Sequence, residues 1–262
     1  MPELARPDGV SIHWAERGDG PTLLIAHNST ISTPENLGAL LDDLAADHRV
    51  VTFDPRGCGR SSRTGPYDLV TDAGDTTALI EAVGPPVVAV SVGFNPMPLA
   101  VASARPDLLE AVVLVGALPR LGPPEGAEDV SLIESDSVVA SMLEMMRSDP
   151  RALLRTMIQM GNTQLSDAEA AERLEAQLAY CPPDVAVARG ESYLGHDGSA
   201  GGAALGESLW IAHYESPMSS AAASKRVAER LPAAHVIEVA DGPISEPGLT
   251  SRVVRQAKRP GR

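Results

Sequence analysis

VVAVSVGFNPMPLA, residues 87–100, sets a run of small and β-branched apolar residues against a Ser-Val-Gly turn and two prolines. A short continuous apolar run suits a strand buried on both faces, as in a parallel sheet. Pro96 and Pro98 fit the first turn of a helix, where a missing N–H costs little. The stretch therefore predicts a buried strand that turns sharply into a helix. Ser91 is the candidate nucleophile on that turn, with Gly93 two places after it and Ala89, not glycine, two places before.

On either side, apolar β-rich runs alternate with helical patterns, which predicts βαβ units around a mostly parallel central sheet flanked by helices. Strands are expected at 10–18, 22–27, 50–54, 111–116, 208–213 and 235–241. Helices are expected at 33–47, with Thr33 as N-cap, and around 71–84, to about 104, and at 219–230. After Gly116 the texture changes. Residues 119–129 are Pro/Gly-rich and acidic, and helical patterns at 130–147, 150–160 and 166–180 end at CPPD (181–184). Residues 195–206 read as a flexible Gly-rich stretch. The expected organisation is a core of 1–118 and 207–262, with a helical lid at 119–206.

Bulk composition narrows the function. The 262 residues can bury a large core, and 44% hydrophobic with 21% charged residues is ordinary for a globular protein. A net charge of −14 argues against nucleic-acid binding, which needs clustered Lys and Arg. The basic end, 252–262, reads as a solvated, frayed terminus. Cys58 and Cys181 make neither a disulfide framework nor a zinc site, so no metal and no cofactor are expected. No apolar run reaches the ~20 residues of a membrane span, and the N-terminus lacks a signal-peptide core. A cytoplasmic protein without a membrane partner is the expectation.

Together these features resemble the α/β-hydrolase superfamily over nearly the whole chain. Residues 8–29 are similar to its opening hairpin and third strand, which here ends in His27-Asn28 where His-Gly is usual. FDPRGCGRSS (53–62) resembles its D-x-R-G-x-G-x-S loop, and 104–117 the helix end and strand that follow the nucleophile turn. The resemblance implies a serine on a strained turn, a histidine to take its proton and an acid to orient that histidine. Pro217 occupies the expected acid position, with Glu215 two residues early. No histidine follows His235. Aligning the family strand with VVAV puts Gly93, not Ser91, on the nucleophile; counting back from Arg105-Pro106 points to Val92 or Gly93. Only a one-residue insertion makes Ser91 the nucleophile.

Other groups stand near the expected site. Asp241, beside the missing histidine, is a candidate general base for a proton transfer other than serine activation. Asn28 and Ser29 lie where the family builds its oxyanion hole, and His27, Val92 and His213 sit at expected strand ends. His196-Asp197 lies in the lid connection. Met145 represents a methionine-rich lid stripe suited to an apolar ligand or to packing. Two functions follow: an enzyme acting on a small apolar or amphipathic molecule, by hydrolysis or by cyclisation, elimination or isomerisation, or an inactive relative that binds a ligand or partner.

Overall fold

The apolar runs become the strands of one sheet because their side chains find cover on both faces. The computed structural model describes residues 2–116, 118–122, 133–161, 165–214, 220–239 and 247–257. Among them, eight strands run in the order β1 (Glu3–Ala5), β2 (Ser11–Arg17), β4 (Arg49–Phe53), β3 (Thr22–His27), β5 (Val87–Val92), β6 (Leu109–Val115), β7 (Leu209–His213) and β8 (His235–Glu238). β1 and β2 pair antiparallel, and all pairs from β4 to β8 are parallel. This is the predicted mostly parallel sheet.

Successive strand residues point to opposite faces. Leu24, Ala26, Val87, Ala89, Val112 and Leu114 therefore pack on one side, against α2 (Leu69–Val83) and α3 (Met97–Ala104). Leu23, Ile25, Val88, Val90, Val113 and Val115 pack on the other, against α1 (Gly38–Leu44) and α10 (Pro247–Gln256). α1 is shorter than predicted. Thr33 Oγ1 accepts from the Asn36 amide at 3.3 Å and closes a turn, and the helix starts five residues later.

Two expectations are corrected. The basic end is not a frayed tail through residue 257: Val253, Val254 and Ala257 are buried, and Arg255 pairs with Asp43 and Asp47 on α1 and its following turn. Residues 258–262 lie outside the described residues. The Gly-rich stretch contains a helix, α8 (Ser199–Leu205), which crosses α3 so closely that a Cβ on Gly201 would collide with the Leu99 carbonyl.

Between β6 and β7 the chain inserts α4 (Ile133–Ser148), α5 (Pro150–Gly161), α6 (Asp167–Tyr180) and α7 (Pro183–Leu194), with α9 (Ala221–Arg230) following β7. Ser166 starts α6 with a full capping box to Glu169. CPPD, predicted as a stop, also starts α7, because Pro183 sits at the first helical position. The insertion has its own apolar core of Met146, Leu153, Leu154, Leu174, Cys181 and Val185, closed by Cys58 from the loop after β4.

The insertion is fastened to the sheet by buried charge. Arg189 of α7 is 2% exposed. It donates to Asp72 of α2 at 2.7 Å and to the Arg56 carbonyl at 2.7 Å, while Tyr193 Oη donates to the same Asp72 carboxylate at 3.0 Å. Breaking one side of such a pair strands the other charge away from water. Arg189→Leu should therefore cost about 3–5 kcal/mol in denaturant unfolding, and the Asp72→Leu/Arg189→Leu double variant less than Arg189→Leu alone. An additive double would show that the two charges act independently.

Candidate functional site

The carboxyl ends of β3 and β5 meet where the chain reverses its direction of travel across the sheet, and such crevices are where open α/β sheets bind ligands. The turn after β5 pivots on Gly93, whose φ of 75° lies in the left-handed region. It is the residue of the sharp turn itself, and it has no side chain. A Cβ placed there would meet Asn28 Cβ at 3.4 Å, Ile31 Cδ1 at 3.8 Å and Asn28 Nδ2 at 4.0 Å, ordinary van der Waals contacts with no clash.

Ser91 lies two residues earlier, still inside β5 and 1% exposed. Its Oγ donates to the Asn95 carbonyl at 2.8 Å. Asn95 in turn donates through Nδ2 to the His27 carbonyl at 3.0 Å and accepts the Met97 amide at 3.0 Å. Ser91 thus ties the strand to the start of α3. Among the described residues no histidine or carboxylate hydrogen-bonds its hydroxyl, so the geometry corrects the expectation of a serine displayed at the turn.

Two amides face the opposite situation. The N–H groups of Ser29, in the loop after β3, and Phe94, directly after the turn residue, have no acceptor among the described residues. An oxyanion hole in this fold is made by the amide after the nucleophile position together with one from the β3 loop. With Gly93 at that position, the amide that follows it is that of Phe94. The Val92 side chain packs into the core beside α10, and its carbonyl accepts the Asn28 amide at 3.0 Å. The Asn28 side chain spans the gap, donating to the Phe94 carbonyl at 3.0 Å and accepting from the Thr30 amide at 3.1 Å.

His27 is buried beneath this loop. Tyr180 of α6 gives its one hydroxyl hydrogen to Asp54 at 2.9 Å, so His27 Nε2, 2.9 Å from the same oxygen, must donate. His27 is thereby fixed as the neutral Nε2–H tautomer, and burial lowers its pKa to about 4. Asp54 also meets His13 Nδ1 at 3.1 Å and accepts the Arg60 amide at 2.9 Å. Gln177 Nε2 reaches the Ser29 carbonyl at 2.9 Å, and Arg189 reaches Ser29 Oγ at 3.3 Å. His27, Asn28 and Ser29 are therefore one assembly with Tyr180, Gln177 and Arg189, none of which the sequence had singled out.

The remaining candidates lie elsewhere. His213 ends β7, three strand spacings or roughly 14 Å from His27. Its Nε2 pairs with Ser224 Oγ at 2.7 Å, and burial lowers its pKa. Met145 is 44% exposed on α4, while Met146 is buried. His196 borders a cavity of about 20 Å³ beneath the turn, with Ser91, Leu114 and Leu118; that is room for one water. Asp241, Glu215 and Pro217 lie outside the described residues. Among the described residues no group of three His, Cys, Asp or Glu side chains is placed to hold a metal. Nor is any described helix long and apolar enough to cross a membrane.

Two outcomes follow from this geometry. Gly93→Ala should cost about 1–2 kcal/mol of stability, from the left-handed backbone and not from a clash; an unchanged unfolding midpoint would show that the turn does not hold this φ. In the unfolded chain an imidazole takes its proton near pH 6.5, but in the fold His27 does so only near 4. Stability is thus lost as pH falls between those values, by up to about 3 kcal/mol, and His27→Gln should flatten that limb of the pH–stability curve.

The comparisons with known proteins agree with this architecture. A non-heme chloroperoxidase of Streptomyces lividans is 32% identical over 126 residues, 45% of this chain and 45% of that protein. The chain thus aligns with less than half the length of that relative. Of solved structures, E-2-(acetamidomethylene)succinate hydrolase superposes with a TM-score of 0.75 at 16% identity, over 97% of this chain and 98% of that one. The bottromycin epimerase BotH superposes at 0.65 with 19% identity, over 97% and 96%. The profile of the Alpha/beta hydrolase family matches residues 26–243, well over half of the sequence. The chain belongs to the alpha/beta hydrolase family, whose members similar to it are enzymes.

Proposed function

We propose that this protein is an enzyme that works without a covalent nucleophile, stabilising a developing oxyanion on a small carbonyl compound at the amides of Ser29 and Phe94. The observation that carries this reading is glycine at the left-handed turn position beside two amides without acceptors. Donors aimed at a developing negative charge are worth about 2.7–4 kcal/mol each in acyl-transfer enzymes, and they do not depend on a nucleophile.

With no side chain at the turn and no histidine after His235, acyl-enzyme hydrolysis lacks both its nucleophile and its base. Proton transfer at the carbon next to a carbonyl needs neither. A carboxylate takes the α-proton, the electron pair moves onto the carbonyl oxygen, and the amides hold the resulting enolate until carbon is reprotonated or a β-substituent leaves. Asp241 is assigned the base, since it follows β8, where the family usually places its histidine. Isomerisation, epimerisation and elimination all fit this scheme. The similarly folded bottromycin epimerase BotH supports a reading other than hydrolysis.

A second reading, ligand binding without turnover, is favoured by one observation. Gln177, Tyr180 and Arg189 fill the space above β3, and the cavity beneath the turn has room for one water. On that reading the insertion is a closed lid that opens to admit a ligand.

Incubation with esters, lactones, thioesters and N-acyl amino acid derivatives in D2O separates these readings by NMR. The enzyme reading predicts deuterium at the α-carbon without hydrolysis, slowed at least 100-fold by Asp241→Asn. Hydrolysis that disappears in Ser91→Ala would refute it. Saturable ligand binding with neither exchange nor product would establish the second reading.

A further inference from the structure

The two cysteines come from opposite sides of the junction between insertion and sheet. Cys58 lies in the loop after β4 and Cys181 directly follows α6; both are free thiols and no more than 2% exposed. Their neighbours in sequence are joined by the backbone, since the Gly59 amide donates to the Tyr180 carbonyl at 2.8 Å. The residues flanking that bond are thereby held side by side, and both sulfurs belong to the same apolar core. Arg189 places Nη1 3.3 Å from Cys58 Sγ.

The two thiols are not equivalent. A hydrogen bond from Cys181 lowers the Cys58 pKa against the opposing effect of burial, with Arg189 and Ser29 adding to the lowering. The same pairing, with burial, raises Cys181 well above the ordinary thiol range. The pairing thus favours ionisation at Cys58 and opposes it at Cys181. Such an arrangement gives an attacking sulfur next to a resolving one.

We propose that Cys58 and Cys181 form an oxidisable dithiol whose disulfide fastens the helical insertion shut over the end of β3, with a hydroperoxide as oxidant. The Cys58 thiolate attacks the terminal peroxide oxygen and breaks the O–O bond. This forms a sulfenic acid and releases water, or an alcohol from an organic hydroperoxide, after one proton is taken up. Cys181 sulfur then attacks the Cys58 sulfur and displaces hydroxide, which leaves as water with the Cys181 proton. In sum, two thiols are oxidised to one disulfide and one peroxide is reduced. Hydrogen peroxide is close to water in size, so brief opening of the packed junction admits it. Because a disulfide requires Cα atoms within about 7 Å, the bond captures only the closed arrangement.

The test is treatment of the purified chain with hydrogen peroxide, followed by alkylation and non-reducing peptide mapping. The expected result is one intramolecular Cys58–Cys181 peptide pair, lighter by two hydrogens and reversed by dithiothreitol, with slower proteolysis of the insertion and a higher Tm. In Cys181→Ser, dimedone should trap a sulfenic acid on Cys58; in Cys58→Ser, it should leave Cys181 unlabelled. Recovery of both cysteines as alkylated thiols after peroxide treatment of a folded sample would overturn the proposal. So would cross-links only between chains, or dimedone labelling of Cys181 in Cys58→Ser.

Discussion

Two asparagine side chains hold the centre of this protein together. Asn95 reaches from the start of α3 to the carbonyls at the end of β3, while Asn28 reaches from the end of β3 to the Phe94 carbonyl after the turn. Each side-chain amide donates to backbone carbonyls beside the sharp turn, and carbonyls are costly to bury unpaired. Gly93 can then take its left-handed φ without a strained side chain. Among the described residues no non-glycine has a positive φ, so the strain that marks a displayed nucleophile in this fold is absent here.

The helical insertion depends on that same corner. Its deepest polar side chains, Gln177, Tyr180 and Arg189, all end at or beside the loop after β3. The motif loop after β4 is the foundation beneath them. Gly59 packs so closely on Asp54 that a Cβ there would collide with the carboxylate, and Arg56 holds Asp75 of α2 through two donors. The D-x-R-G-x-G series thus has a structural explanation: it positions one carboxylate to receive Tyr180 from the insertion, and it places Cys58 at the junction.

The sheet was legible in the sequence because strands covered on both faces must be continuously apolar, as TLLIAH and VVAV are. The turn was legible as a turn, but its pivot was not. Ser91 and Gly93 sit two residues apart, and only the backbone dihedral separates them. α7 was hidden because Pro182-Pro183 reads equally as a stop and as a helix start, and with it went Arg189. α10 was hidden for a different reason: Arg255 looks like tail charge until Asp43 and Asp47, more than two hundred residues away in sequence, are brought beside it. Non-local partners of this kind carry no local signal.

The family's serine hydrolases carry a hydroxyl at the turn, and the account rests on glycine standing there instead. Labelling with a fluorophosphonate, followed by mass mapping, tests that claim most directly, because the probe reports an activated serine whatever its substrate. The account predicts no adduct on Ser91 under conditions that label an active serine esterase in the same tube. An adduct on Ser91 would contradict it, since that serine is buried in β5 with its hydroxyl bonded to the Asn95 carbonyl.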